Sequence, residues 1–475
     1  VPGLINHKNF NFRRTLKAFE KMAISGYHNR HLLLHLFIIS LMVHYGFTNG
    51  VHLWQFVTAC FASFWLILRP TNIYIPLLAV FTTLADYLST YPELSNHAVI
   101  QLFICLGIVF LLIYEGVLKK KYYFSNDSKT TFFRSVVFLI YFFSGFHKLN
   151  WGFIDSDQSC VHSLNFYVIR FLGLDSETTP LILTRSLQLA TFFLELIVPI
   201  GLLFRRTCKL SVLFLFGFHA YLFAAGFAHF ASVSVFMLAG CLLNYTESQT
   251  ARNIQPRLKV YTIISFFAAV ISFTFCNVKG NYFDDSGNLS RSFFISCSIY
   301  FTAFIYASNL FLKVQNPLRL NFRSLLSLKI FLPVFIIFLW GMEPYYGLSN
   351  RANMSMYSNM ITMAGRDNHL LISTRCTKLI PFEEDYLQVL DVSSNFISKI
   401  GSNYKYYYYP LITFRYNASV WLKNIKDPVS VRIFYRGKEF IIPNLATSDF
   451  SRSRWYDRYF YYRPTPVRGY GVCVW

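Results

Sequence analysis

The chain has 475 residues, 54% of them hydrophobic and only 14% charged, and it carries a formal net charge of +21. About a quarter of the residues in a soluble domain are charged, so this balance excludes an ordinary water-soluble protein and points to a polytopic membrane protein. Nor does the positive charge mark a nucleic-acid-binding protein, because Lys and Arg are spread over short loops between apolar stretches, with no long basic run carrying interleaved aromatics.

Residues 1–30 form a basic segment, and Asn9–Met22 within it is mildly amphipathic, a pattern suited to a membrane surface. Apolar stretches then recur at 31–47, 53–68, 73–88, 98–117, 132–149, 180–203, 209–227, 229–243, 258–276, 291–311 and 328–342. Several are shorter than the roughly 20 residues of a perpendicular span. The expected fold is therefore an α-helical polytopic membrane protein of about nine to eleven spans over residues 31–342. If the stretches alternate across a bilayer, the segments on the N-terminal side hold 22 Lys and Arg. Those on the other side, up to residue 292, hold four: Lys148, Arg170, Lys279 and Arg291. Positive charge is retained on the inside, so the N-terminus is expected to be cytoplasmic or on an equivalent side.

After Met342 the character changes. Residues 343–475 are more polar, with strand-like runs at Leu387–Val392, Tyr406–Arg415, Val429–Tyr435 and Glu439–Ile442. Arg436-Gly437 sits between the last two as a hairpin turn. An odd number of spans places this small β-rich domain on the lumenal or external side.

Nine cysteines include no CxxC and no Cys/His zinc spacing, so no metal site is expected. Cys160, Cys376 and Cys473 lie outside the apolar stretches and are free to pair in an oxidising compartment. Asn288, Asn353 and Asn417 each begin an N-x-S triplet, a common chance pattern.

Four polar residues fall at the same depth in this scheme. Asn96 and His97 open the 98–117 stretch, Lys148 closes 132–149, and His219 lies within 209–227 towards the same side. A lysine near hydrocarbon costs a few kcal/mol on insertion scales and marks a functional site by default. Burial also favours its neutral form, which can act as a base. Each residue has a plainer reading. His97 suits an interface, Lys148 can extend to headgroups, and His219 suits an interhelical hydrogen bond. Glu195 lies nearer the opposite side and reads as a helix contact or a partner of Arg185, outside this cluster.

Several segments resemble, in order, those of the vitamin K-dependent gamma-carboxylase family and its wider membrane module, the horizontally transferred transmembrane (HTTM) domain. Tyr141–Leu149 is similar to the Y-F-x-[AS]-G-x-x-K-L motif, and Ser95-Asn96-His97 to a W-N-N-H type motif. Phe218–Gly226 is similar to an F-H-x6-G segment, and Tyr346-Gly347-Leu348 through Asn368-His369 to the passage into the lumenal domain. The resemblance covers roughly residues 30–375. It implies that Lys148 deprotonates reduced vitamin K or a related quinone. The anion then reacts with O2 to give a base strong enough to take a proton from the γ-carbon of a glutamate, CO2 adds there, and the quinone leaves as its epoxide. Under the same resemblance His97 assists catalysis and contacts the quinone oxygens with Asn96. His219 and His147 lie with the cofactor, and His147 occupies the place of a second lysine in many carboxylases. The tail is much shorter than the large lumenal domain of the animal enzymes, which argues against recognition of a propeptide.

The expected function is an integral membrane, carboxylase-like enzyme. Its expected partners are the bilayer, a lipid-soluble quinone and a Glu-containing protein substrate. The alternative is a non-catalytic member of the family that serves as a structural subunit among other membrane subunits.

Overall fold

The computed structural model describes residues 32–48, 52–69, 74–118, 126–155, 159–165, 168–169, 173–174, 178–224, 228–242, 248–278, 291–312, 320, 322–355, 357–363 and 365–469. The basic segment 1–30, with Asn9–Met22, and Asn288 and Cys473 lie outside them. The described chain is mostly helical, with one small sheet near its C-terminus.

Every apolar stretch is a helix: α1 Leu32–Phe47, α2 Leu53–Leu68, α3 Tyr74–Thr90, α4 Asn96–Leu118, α5 Asn126–Phe146, α6 Leu181–Phe192, α7 Arg205–Ala224, α8 Ala228–Leu242, α9 Ser248–Ser272, α10 Arg291–Leu312 and α11 Leu328–Tyr346. The axis of α6 continues through a π-helical turn, Phe193–Ile197, into a 3-10 segment, Val198–Leu203, at Pro199. Proline has no N–H to continue the α ladder. Among the described residues three helical runs are long and apolar enough to cross a membrane: Leu181–Leu203, Pro256–Phe275 and Phe294–Leu312. Many large apolar side chains on the helices face outward, including Trp54, Ile182, Leu189 and Phe294. Small polar residues such as Ser40, Ser63, Thr131 and Ser265 are buried. Large apolar side chains thus cover the outside of the helices as well as filling the core.

The chain divides into two compact units. The first comprises Val1–Thr83, Val109–Thr130 and Ala231–Leu318. In it α9 packs along α10, with Tyr261 and Tyr300 joined at their hydroxyls (3.2 Å). Phe56 of α2 stacks on Phe273 at 4.3 Å. Gly46 lets α1 approach Ala269, where an added Cβ would meet the Ala269 Cβ at 2.8 Å.

The second unit comprises Leu84–Ile108, Thr131–Phe230 and Arg319–Trp475. Its C-terminal part holds a five-stranded antiparallel sheet in the order β4-β3-β1-β2-β5. The strands are β1 Tyr386–Val392, β2 Tyr407–Pro410, β3 Val431–Tyr435, β4 Lys438–Ile442 and β5 Thr465–Pro466. Leu387 and Val389 of β1 and Val431 and Ile433 of β3 bury one face against α12, Ser394–Ile400, and α13, Leu411–Trp421, through Phe396, Phe414 and Ala418. The expected hairpin forms. Arg436 and Gly437 both take positive φ (48° and 76°), as a two-residue turn matched to strand twist requires.

One expected strand is wrong. Tyr406–Arg415 is extended only to Pro410, after which α13 begins. Pro410 at the helix entry has no N–H to contribute to the ladder. The next residues bury Ile412, Thr413, Phe414, Asn417 and Ala418, a helical rather than alternating pattern.

Candidate functional site

Lys148 stands in the turn that ends α5 and is 2% exposed. Its side chain runs back along the helix, so Nζ donates to the Ser144 carbonyl and to Ser144 Oγ, both at 3.2 Å. The third donor goes to Glu195 Oε2 at 2.8 Å. Glu195 comes from the π-helical turn after α6 and is itself buried. The two therefore form an ion pair closed off from solvent. Gly145 permits the approach, since a Cβ there would meet Leu196 Cγ at 2.6 Å and Glu195 Cβ at 3.0 Å.

This corrects the sequence reading of Glu195 on both counts. It belongs with Lys148, and Arg185 instead donates to the Ile154 carbonyl and to Gln188 Oε1. The Lys148 Cα lies at the end of the apolar stretch, but its amine does not. Helical side chains point towards the N-terminus, which carries a lysine amine about one turn deeper.

Tyr141, Ser144 and Lys148 recur at three and four residues, so they share one face of α5. Tyr141 Oη makes a very short hydrogen bond with His219 Nε2 of α7, and His219 Nδ1 is buried without a partner. A polar stripe thus runs from His219 and Tyr141 through Ser144 to Lys148 and Glu195. From Tyr141 to Lys148 is roughly 10 Å of helix rise.

His147 and Asn96 belong to a different face. His147 Nε2 donates to the Gly341 carbonyl of α11 at 3.0 Å, while its Nδ1 is buried without a partner and the ring lies near the Met354 backbone. Met354 N–H donates to Asn96 Oδ1 at 2.5 Å, while Asn96 Nδ2 is buried without a partner. His97 Nε2 meets Ser95 Oγ at 3.1 Å. The five expected residues are all buried in one unit but are not gathered together: Lys148 shares a polar stripe with His219, His147 and Asn96 lie by Met354, and His97 contacts Ser95.

The loop that receives Asn96 and His147 is strained. Ala352, Met354, Tyr357 and Asn359 all have φ between 52° and 67°, a left-handed conformation that costs a non-glycine residue about 1–2 kcal/mol. Asparagines hold it in place. Asn150 Nδ2 donates to the carbonyls of His147 (2.7 Å) and Ser358, and Asn150 Oδ1 accepts from Phe153 N–H at 2.9 Å. Asn368 Nδ2 donates to Asn150 Oδ1 and to the Asn359 carbonyl. His369 Nε2 donates to the Phe146 carbonyl at 3.0 Å while Nδ1 accepts from Leu371 and Ile372 N–H. Burial lowers the His369 pKa and favours that neutral ring.

Outside the helices, Cys160 is disulfide-bonded, while Cys376 is a free, exposed thiol. Asn353 and Asn417 are buried and serve internal hydrogen bonds, to the Ser349 carbonyl and from Tyr461 Oη. As folded they are not accessible to glycosylation.

In comparisons with known proteins, no family model, curated protein or solved structure matches this chain.

Proposed function

We propose that this chain is a multi-pass integral membrane enzyme of the gamma-carboxylase type, in which Lys148 and Glu195 move a proton for a reduced lipid quinone. The observation that carries this reading is the buried Lys148–Glu195 pair, joined along one stripe to Tyr141, which hydrogen-bonds His219. The lysine falls within the segment that resembles the family's lysine motif. Three apolar helical runs of spanning length, further shorter apolar helices, outward-facing apolar side chains and the asymmetry of loop charge support a chain that crosses the membrane several times. The disulfide at Cys160 supports an oxidising compartment beyond α5, hence a lumenal or external C-terminal domain.

His219 Nδ1 and Asn96 Nδ2 are buried polar atoms without partners, and such atoms fit the oxygens of a quinone. Of the two, His219 lies on the stripe with Lys148 and would hold the quinone there, while Asn96, with His97 beside it, would offer a donor from its place by Met354. When bound with oxygen, the reduced quinone supplies the base that takes the γ-proton of a glutamate, to which CO2 adds. The chain's own part is proton handling. Transfer from Lys148 Nζ to Glu195 Oε2 leaves a neutral amine, held by Ser144, that can accept a hydroxyl proton. The apolar surroundings keep water from quenching a strong base.

A second reading has its own support. All three Lys148 donors are satisfied within the chain, as a purely structural clamp would have them. That favours a non-catalytic subunit of a membrane assembly. The test is epoxide formation by purified protein given reduced vitamin K, bicarbonate, oxygen and a Glu-containing peptide. The enzyme reading expects epoxide from the wild type and none from Lys148→Met or Glu195→Gln proteins that remain folded. If the wild type makes no epoxide with vitamin K, ubiquinol or plastoquinol, the structural reading stands.

A further inference from the structure

The C-terminal part contains an arginine whose best hydrogen-bonding edge faces no acid among the described residues. Arg463 donates from Nη1 to the Ser355 carbonyl at 3.2 Å, and its backbone N–H donates to Asn350 Oδ1 at 2.6 Å. Its Nε and Nη2 are buried and without a partner. Those two nitrogens form the fork that takes both oxygens of a carboxylate side-on. The same unit shows the satisfied version. Arg415 donates from Nε and Nη2 to the two oxygens of Asp457 at 3.2 and 3.1 Å.

A second cation worsens the imbalance. The Arg351 guanidinium lies 4.9 Å from the centre of the Tyr461 ring, two residues before Arg463. Among the described residues no carboxylate pairs with Arg351 or Arg463. Burial, followed by the Arg351 charge, pushes Arg463 down to about 9. Arg463 as a whole is half-buried, but donors of a cation that are closed to solvent with their hydrogen bonds unmade are costly and are ordinarily matched by an anion. Asn350 and Ser355 also tie Arg463 to the strained loop that carries Met354, the neighbour of Asn96 and His147.

We propose that the Nε/Nη2 edge of Arg463, with Arg351 beside it, is a binding site for a planar oxyanion of the carboxylate class. Bicarbonate and the side-chain carboxylate of a peptide glutamate share that chemistry. The site does not depend on Lys148 acting as a base, so its failure and the failure of the quinone reading are separate results.

The test uses the full chain in detergent and follows its melting by intrinsic fluorescence. Sodium bicarbonate, sodium acetate and a neutral-ended Glu peptide are titrated against sodium chloride at equal ionic strength. The expected result is a saturable rise in melting temperature with the carboxylate-class ions and none with chloride. If the Glu peptide acts and its Gln counterpart does not, the ligand is a side-chain carboxylate; if bicarbonate alone acts, it is the inorganic ion. Arg463→Lys keeps the charge and loses the fork, and it should weaken binding by roughly tenfold or more. Arg351→Glu places an acid beside the fork and should abolish the response while raising the melting temperature in its absence. An equal response to chloride, no response to any ion, or unchanged titrations in both variants would overturn the site.

Discussion

Two buried lysine–glutamate clusters in this molecule differ in how their charges are counted. Between the helices, Lys148 meets one carboxylate, Glu195, and spends its remaining donors on Ser144. In the C-terminal part of the same unit, Lys378 is shared by two acids, Glu383 at 2.8 Å and Glu384. Glu383 is fully buried, whereas Glu384 is one-third exposed. The first cluster is balanced. The second carries one negative charge more than its lysine can match, and burial pushes the Glu383 carboxyl up to about 7 despite the ammonium beside it. Burial is the first cause of that shift and the second acid, Glu384, the last, so at Glu383 desolvation outweighs the neighbouring ammonium.

The largest effect is expected at the balanced pair. Lys148→Met leaves Glu195 buried without a partner and should cost about 3–5 kcal/mol of stability, whereas Lys148→Met with Glu195→Leu should recover most of it. Melting of the single and double variants in detergent measures this. A single variant that melts like the wild type would break the comparison, because the pair would then be solvated.

The titrating cluster comes next. Glu383 has its pKa raised from 4.5 to about 7, so the folded state holds a proton that the unfolded state has released between those values. Its stabilising contribution is complete below about 4.5 and is lost as pH rises through about 7, at most about 3 kcal/mol. Denaturant titration of the full chain at pH 5 and pH 8 should show the decline. Glu383→Gln should flatten it, and a variant that keeps the full slope would assign the titration elsewhere.

A smaller change should follow from the glycine that admits Glu195. Gly145→Ala places a Cβ against Leu196 and Glu195 and should cost about 1–3 kcal/mol. Proteolysis or melting that leaves this variant unchanged would mean that the π-helical turn shifts freely. The smallest effect belongs to the exposed pair Arg432–Glu439, nearly half exposed on both sides, where a double-mutant cycle should give about 0.2–1 kcal/mol. A larger coupling there would show that burial is not what separates these pairs.

Much of the fold was legible in the sequence, and the physical reason differs by element. Long apolar stretches lack the charge for any other structure, and each is a helix. The Arg436-Gly437 turn was legible because few residues accept positive φ twice in succession. Tyr406–Arg415 misled because alternation and aromatic content look alike in a strand and in a short helix entered through proline. At the site, the unusual lysine was visible and its partner was not. Glu195 was misplaced because depth was counted along regular helices, whereas a π-helical turn and a lysine reaching back one turn bring the two together.

By itself the sequence determined where apolar segments lie, which loops carry charge and that Lys148 is costly where it stands. Those properties depend on residue type and order alone. Only the tertiary structure decided that Lys148 is matched by Glu195, that His147 and Asn96 face a strained loop rather than the lysine, and that Arg463 has no acid of its own among the described residues. Pairing depends on side-chain direction and on which helix faces meet, and neither is a property of one segment read alone.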